Sequence, residues 1–162
     1  MHEIDPALVL LETPHWIVNH GAAATLPGYV FVAARSGDSL AAQSERALSD
    51  LGPLLARVQS AIETTLGAER VYIGRFGHSP GWPFHFHLVP VYAWLREALA
   101  ADARYAHLRG HHGHADCGHD GADVLLYVFR EWTTAEGRGA TPPAGTPSIA
   151  EAVVRLRAAL TV

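Results

Sequence analysis

The stretch FHFHLVP, residues 84–90, alternates apolar and polar side chains in the manner of a β-strand with one buried face. Because residues two apart on a strand point to the same side, His85 and His87 are predicted to share one face of a sheet. Phe84 and Phe86 are predicted to anchor this strand in the core and so to restrict the histidines. Imidazole can act as nucleophile, acid or base near neutral pH, so the pair is the first candidate for a catalytic centre.

The segments around this strand predict an α+β fold. A helix is predicted from Ser44 to Leu66, because apolar side chains recur there every three or four residues, with Ser44 as its cap. The Gly52–Pro53 pair inside it predicts a kink or a break. Strands are predicted at residues 29–33, 71–73, 84–89 and 124–129, and further helices at 93–108 and 149–160. Residues 8–11 and 15–18 are predicted to form two more strands, or one strand and a lead-in. The expected architecture is an antiparallel sheet of about five strands, packed with one long helix and additional C-terminal helices.

Length and composition fit a single domain over residues 1–162, because 49% of the residues are apolar and 17% are charged. The net charge of −4 offers no basic surface, so no nucleic-acid polymer is expected as a partner. The sequence contains no lysine, which excludes lysine chemistry and leaves arginine as the cation for phosphate. It contains one cysteine, and it lacks a recognisable signal peptide and an apolar run of about 20 residues, so a cytoplasmic protein without membrane contact is expected.

Two segments resemble the histidine triad (HIT) superfamily of nucleotide hydrolases and transferases. The signature of that family is His-φ-His-φ-His-φ-φ, where φ is apolar, and residues 83–89, PFHFHLV, match it except at the first position. Upstream, residues 26–35, LPGYVFVAAR, are similar to the family segment Pro-Gly-His-φ-φ-Val-φ-Pro-Lys, and an amphipathic helix separates the two blocks. The resemblance covers a HIT-like core of roughly residues 10–94 and leaves 95–162 as a C-terminal extension.

The resemblance implies a mechanism as well as a fold. It implies that His85 attacks the α-phosphate of a nucleotide and carries the nucleotidyl group, while His87 contacts phosphate oxygens. Arg75 falls near a position where the family often has a phosphate-binding asparagine, and a guanidinium suits a phosphate well. Further candidate substrate contacts are Asn19, His78 and Ser79. The implied protein is a homodimeric hydrolase of phosphoric anhydrides or phosphoramidates, or a nucleotidyl transferase, that takes a nucleotide or dinucleoside polyphosphate and needs no cofactor.

Two residues depart from the family pattern. Pro83 stands in place of the first triad histidine, and Tyr29 replaces the histidine of the Pro-Gly-His segment. The carbonyl of Pro83 is expected to accept a hydrogen bond from a ring N–H of His85. The acidic residue that binds ribose in the family has no clear match, because residues 19–21, NHG, occupy its neighbourhood. A catalytically weak nucleotide-binding relative therefore stays open as an alternative.

A histidine-rich loop at residues 107–121 carries a second hypothesis. Histidine and cysteine are the side chains that zinc prefers, and the candidate ligands are Cys117, His119, His112 and His114. A metal-dependent enzyme or a metal-binding protein that uses these residues with His85 and His87 is thus a further alternative, with zinc as its cofactor. Two other interpretations are a solvated loop that binds metals adventitiously, and a loop that reaches over the active site.

Overall fold

The computed structural model describes residues 4–76, 82–109, 118–133 and 139–161. One antiparallel sheet has the strand order β1-β2-β3-β5-β4, formed by β1 (Val9–Glu12), β2 (Trp16–His20), β3 (Val30–Ala34), β4 (Arg70–Gly74) and β5 (His85–Val91). The helices are α1 (Glu45–Leu66), α2 (Ala93–Ala101), α3 (Gly121–Glu131) and α4 (Ile149–Thr161), with short 3-10 turns at Pro6–Leu8, Leu40–Ala42 and Ala103–Leu108. The predicted α+β class, with its five-stranded antiparallel sheet and long helix, is confirmed.

The long helix α1 begins where the sequence predicts it. The Ser44 hydroxyl accepts a hydrogen bond from the Ala47 backbone N–H at 3.2 Å, which satisfies a donor that the first turn leaves free. The helix continues through Pro53 without a break, because Gly52 and Pro53 lie on its exposed side, where water can replace the backbone bond that proline cannot make. Its buried side chains are Ala47, Leu51, Leu54, Val58, Ala61 and Ile62.

The main core lies between the sheet and the helices α1 and α4. The Trp16 indole of β2 is fully buried there, and its N–H donates to the Ala47 carbonyl of α1 at 3.0 Å. The guanidinium of Arg57 donates to the Leu160 carbonyl and so ties α1 to α4. Helices α2 and α3 pack together, with the Trp94 and Trp132 rings 5.1 Å apart, and Gly121 at the start of α3 lies against the Tyr72 ring of β4. None of the described helices is long and apolar enough to cross a membrane.

The predicted strand at residues 124–129 is wrong, because these residues lie within α3. The Asp120 carboxylate accepts from the N–H groups of Ala122 and Asp123, and the Asp123 carboxylate accepts from the Asp120 N–H, which together cap the first turn. The buried residues of α3 recur at three and four positions: Asp123, Val124, Tyr127, Val128 and Glu131. Helical burial thus outweighs the strand preference of valine, tyrosine and phenylalanine.

The predicted helix at 93–108 is two elements. Helix α2 ends at Ala101, and the Asp102 carboxylate accepts from the Arg104 backbone N–H to start the 3-10 turn that follows. The same carboxylate binds the Arg104 guanidinium, which also donates to Glu131 of α3 at 2.9 Å. The interruption at Asp102 therefore joins this part of the chain to α3.

The turn before β3 depends on a glycine. Gly28 has a φ of 79°, and a Cβ at this position would lie 2.5 Å from the Leu66 side chain of α1. The preceding carbonyl, of Pro27, accepts from the Tyr92 hydroxyl at 2.8 Å. Together these contacts fix the direction in which β3 enters the sheet, and with it the positions of Tyr29 and Phe31.

Strand β1 forms one edge of the sheet, and a side chain covers its backbone. The Arg157 guanidinium of α4 donates to the Val9 carbonyl at 2.6 Å and to the Ala7 carbonyl at 3.1 Å. The Val9 carbonyl, at the start of β1, would otherwise be free to accept from another strand. Helix α4 therefore contributes to the apolar core and to the protection of this edge.

Candidate active site

The register of the sheet brings the two histidines together with residues from three other strands. His87 of β5 lies opposite Phe31 of β3 on one side and opposite Gly74 of β4 on the other, and Phe31 lies opposite Asn19 of β2. Directly opposed residues in an antiparallel sheet share a face. Asn19, Phe31, His87 and Gly74 thus form a row across the sheet, with His85 two residues from His87 on the same face.

The half-buried ring of His85 is oriented by the backbone. Its Nδ1 lies 2.7 Å from the Pro83 carbonyl oxygen, the bond expected from the sequence. Since a carbonyl only accepts, the proton of the neutral ring is on Nδ1, and Nε2 carries the free lone pair. The arrangement prepares Nε2 for attack on an electrophile, and a positive charge that forms on the ring is stabilised by the same carbonyl.

His87 is held from both sides. Its Nε2 lies 3.1 Å from the Phe76 carbonyl, so Nε2 carries the proton, and its Nδ1 then accepts from the Tyr29 hydroxyl at 2.9 Å. The side chain is 7% exposed. Burial, together with the neighbouring His85, lowers the pKa of His87 to about 4. His87 is therefore neutral at pH 7, and both of its nitrogens are engaged by the protein.

Aromatic rings surround the pair. The Phe31 ring lies 4.8 Å from the His87 ring and 5.1 Å from the His85 ring, measured between centroids. Phe76 lies 5.4 Å from His87, and Trp82 lies 6.4 Å from His85. Phe76 and Trp82 are 41% and 45% exposed, so the histidine pair has an apolar floor and two aromatic rings open to solvent at its sides.

Gly74 makes room for one of these rings. A Cβ at Gly74 would lie 2.4 Å from Cζ of Phe76, so the ring rests directly over the backbone of β4 beside His87. Placing the ring there also brings the Phe76 carbonyl to its bond with His87. The glycine between Ile73 and Arg75 is thus part of the support of the site.

Arg75 and Asn19, both expected to contact substrate, lie at different depths. Arg75 is exposed, and its guanidinium lies 5.0 Å above the ring of Phe84, which packs against Trp16 on the face of the sheet opposite the histidines. Asn19 is 6% exposed, and its Nδ2 donates to the His20 carbonyl at 2.9 Å. This bond fixes the amide orientation, and it leaves the buried Oδ1 of Asn19 without a hydrogen-bond partner among the residues that the structure describes.

The other candidates fall outside this row. His78 and Ser79 lie outside the described residues, as do His112, His114 and Cys117 of the proposed zinc set. His119 is described, and its Nε2 lies 3.2 Å from the Tyr105 carbonyl. His20, on the core side of β2, is fully buried between the Gly21 and Leu26 carbonyls, and burial lowers its pKa. These last two histidines support the structure.

The described ranges contain no cluster of three or more side chains suited to a metal ion. The histidine pair also fits a metal poorly. Both nitrogens of His87 are engaged, so only Nε2 of His85 presents a free lone pair, and His87 would have to release Tyr29 or Phe76 to act as a second ligand. Sequence reasoning singled out the histidines, but it missed Phe31 as their floor and Tyr29 as a partner of His87.

Comparison with known proteins supports the fold assignment. No protein-family model and no curated protein matches the sequence. Among solved structures, a zinc-bound histidine triad family protein from Mycobacterium smegmatis is similar over 97% of this chain and 86% of its own, with a TM-score of 0.55 and 15% identity. The likeness therefore extends beyond the segment 10–94 on which the sequence resemblance rests.

Two weaker matches carry related descriptions. A Hit-like protein involved in cell-cycle regulation from Bartonella henselae matches with a TM-score of 0.48 and 16% identity, over 55% of this chain and 73% of its own. A hypothetical histidine triad nucleotide-binding protein from Sulfolobus tokodaii matches with a TM-score of 0.47 and 13% identity, over 75% of this chain and 78% of its own. The protein is an α+β protein with a histidine pair on the open face of its sheet. Its fold is the HIT fold, as the sequence resemblance predicts.

Proposed function

We propose that the protein is a nucleotide hydrolase or nucleotidyl transferase that acts through a covalent nucleotidyl group on His85. The observation that carries this proposal is the bond from Nδ1 of His85 to the Pro83 carbonyl, which leaves the Nε2 lone pair free on the open face. Covalent catalysis by imidazole divides one difficult displacement at phosphorus into two easier ones. The HIT fold and the match of residues 83–89 to the family signature support nucleotides as the substrate class.

The surroundings supply groups for the rest of a nucleotide. Arg75 is exposed on a long side chain, and we propose that its guanidinium leaves the Phe84 ring, on the other face of the sheet, and reaches around the end of β4 to bind phosphate oxygens with two parallel hydrogen bonds. Asn19 offers the acceptor Oδ1, which suits an O–H or N–H group of the nucleoside. Phe31, between Asn19 and the histidines, offers an apolar surface to the part of the ligand that spans them.

A second candidate function is nucleotide binding without efficient turnover. The observation that favours it is the engagement of both His87 nitrogens, which removes a phosphate donor that the family resemblance implies. In this case the protein binds a nucleotide in the same place, but no adduct forms on His85.

Adduct trapping separates the two candidates. The protein is mixed for one turnover with radiolabelled diadenosine polyphosphates, adenosine 5′-phosphoramidate and their guanosine counterparts, quenched with acid-free denaturant, and examined by mass spectrometry. The hydrolase proposal predicts a nucleotidyl group on the peptide that contains His85, and none in the variant His85→Ala. Saturable nucleotide binding without an adduct from any of these probes would favour the binding protein.

A chelator supplies the control for metal chemistry. Covalent chemistry at His85 needs no metal, so EDTA is expected to leave adduct formation unchanged. Loss of turnover in EDTA, with recovery on addition of zinc, would favour the metal-dependent alternative.

A further inference from the structure

Tyr29 and Pro83 mark the two places where this chain departs from the family pattern, and the hydroxyl of Tyr29 contacts His87. The Tyr29 side chain is 4% exposed, its hydroxyl lies 2.9 Å from Nδ1 of His87, and its ring packs edge to face against Phe31 at 5.5 Å. Tyr29 therefore helps to hold the histidine pair, although it directly precedes β3 and lies 58 residues before His87 in the sequence.

The two bonds to His87 determine where its proton lies. The Phe76 carbonyl can only accept, so Nε2 of His87 is the donor there. With that proton assigned, Nδ1 of the neutral ring is an acceptor, and the Tyr29 hydroxyl donates to it. The burial that lowers the pKa of His87 acts in the same direction, since it disfavours a second proton on the ring.

We propose that Tyr29 is a positioning residue that, with the Phe76 carbonyl, keeps both nitrogens of His87 hydrogen-bonded to the protein, so that the reaction at His85 proceeds without protonation of the leaving group by His87. The substrates are then phosphoric anhydrides, whose leaving group is a phosphate, in preference to phosphoramidates. This inference rests on the proposed function, and it selects one of the two bond types that the function includes.

The chemistry of the first step explains the selection. The lone pair of His85 Nε2 forms a bond to the α-phosphorus while the bond from phosphorus to the leaving group breaks, and the electron pair of that bond departs with the leaving group. A phosphate leaves as a stable anion and needs no proton, whereas an amine would leave as a strongly basic anion unless an acid protonates its nitrogen first. In the second step, water attacks phosphorus, the electron pair of the P–N bond returns to Nε2, and a proton of the water passes to solvent.

The test compares two leaving groups on one transferred group. Adenosine 5′-diphosphate and adenosine 5′-phosphoramidate carry the same adenylyl group, and a series of aryl esters of adenosine 5′-monophosphate with phenols of graded acidity fills the range between them. For the wild-type protein we expect kcat/KM to fall steeply with the basicity of the leaving group, and the diphosphate to be preferred by about 100-fold or more.

Two variants isolate the hydroxyl of Tyr29. Tyr29→Phe keeps the ring but removes the bond that holds Nδ1 of His87, so the His87 ring can turn and donate its N–H to the leaving group, and the preference for the diphosphate is expected to shrink by about tenfold. Tyr105→Phe is the matched control, because it also removes a buried tyrosine hydroxyl, one that donates to the Glu131 carboxylate and not to a histidine. Its preference is expected to equal that of the wild-type protein.

A spectroscopic measurement tests the positioning directly. The 15N shifts of the His87 ring at pH 7 are expected to show a protonated Nε2 and an unprotonated Nδ1, and the Nδ1 signal is expected to move in Tyr29→Phe but not in Tyr105→Phe. Two protonated nitrogens in the wild-type ring, or turnover that is insensitive to leaving-group basicity, would overturn this inference alone. Absence of turnover and of a His85 adduct with every probe would overturn the proposed function and this inference with it.

Discussion

At the residue scale, His85 and His87 share a sequence pattern but not an environment. His85 is half-buried and keeps one lone pair free, whereas His87 is nearly enclosed and has a partner on each nitrogen. The difference arises from position along β5: His87 lies between paired strands, next to Phe31 and Gly74, and His85 lies where pairing with β4 has ended. Of the two, His85 alone presents a ring nitrogen that no described residue engages.

The variant His85→Ala is therefore expected to abolish turnover and adduct formation while leaving the fold intact. A half-buried ring whose main bond is to one carbonyl contributes little to packing, so the free energy of unfolding should change by about 1 kcal/mol or less. Activity and urea unfolding are measured together. His15→Ala, which removes a half-buried histidine from the turn before β2, is the control. Full activity of His85→Ala would show that the nucleophile is another group.

Stability should depend on pH through His87. The pKa of the ring falls from 6.5, the value expected in the unfolded chain, to about 4 in the folded protein. The unfolded state thus binds more protons between these two values, so the contribution of His87 is complete above about pH 6.5 and is lost as the pH falls toward 4. The loss amounts to at most about 3 kcal/mol for such a shift.

Urea unfolding at pH 7.5, 6 and 5 measures this effect in the wild-type protein and in His87→Gln, which cannot titrate. The variant is expected to show a smaller decrease in the free energy of unfolding over the same range. His20, whose pKa is also lowered, is present in both proteins and cancels in the comparison. An equal decrease in both proteins would contradict the low pKa of His87.

At the scale of elements, α1 accommodates a proline that its sequence position makes costly. The chain turns the Gly52–Pro53 pair to the exposed side, but the backbone bond to the Ser49 carbonyl is still lost. Pro53→Ala should therefore raise the free energy of unfolding by about 2 kcal/mol, after allowance for the greater freedom of alanine in the unfolded chain. Thermal or urea unfolding measures the change.

Gly52→Ala provides the companion measurement for α1. Nothing lies within 4 Å of a Cβ at Gly52, so this change tests helix propensity without the missing N–H, and it should stabilise by about 1 kcal/mol. A Pro53→Ala protein that is no more stable than the wild-type protein would indicate that the helix is interrupted at this point in solution.

The sequence predicts a helix or strand correctly where contacts between neighbouring residues determine it. The start of α1 follows from the apolar periodicity together with Ser44, because a cap acts on the next three residues. Residues 124–129 carry no comparable signal within themselves, and what makes them helical is the cap at Asp120 together with burial on one side. The bond between Tyr29 and His87 could not be predicted, because it depends on the register between β3 and β5.

The same distinction applies to the candidate site. The bond between His85 and the Pro83 carbonyl could be predicted because the two residues are only two positions apart in the sequence. The contact therefore depends only on the local conformation of the backbone. Phe31 and Gly74 flank His87 only in the assembled sheet, because they belong to the neighbouring strands β3 and β4. The sequence near His87 therefore could not predict either contact. Asn19 was expected near the substrate from its place in the chain, and its buried, unpartnered Oδ1 could be found only in the structure.

At the scale of the whole molecule, the last helix and the first strand depend on each other. Leu156 and Leu160 of α4 are fully buried, and Arg157 between them binds the backbone of β1. Arg157→Met keeps the length of the side chain but removes the bonds to Val9 and Ala7, so the free energy of unfolding is expected to fall by about 1 to 2 kcal/mol.

Arg155→Met is the matched control for this change, because it removes the same charge from an exposed position of the same helix. Unfolding in urea and light scattering at rising protein concentration are measured for both variants. Greater light scattering is expected for Arg157→Met alone, and an equal increase in both would attribute the effect to net charge.

The contact between Arg157 and β1 has a consequence for aggregation. A chain that is still being synthesised completes all five strands before residues 149–161 are available, so for a time the carbonyls of β1 are open to the strands of other molecules. Arrival of α4 ends this exposure at the same moment as it completes the core. Chains that end before residue 149 should therefore be recovered chiefly as insoluble material, even though they contain His85, His87 and all the residues described around them.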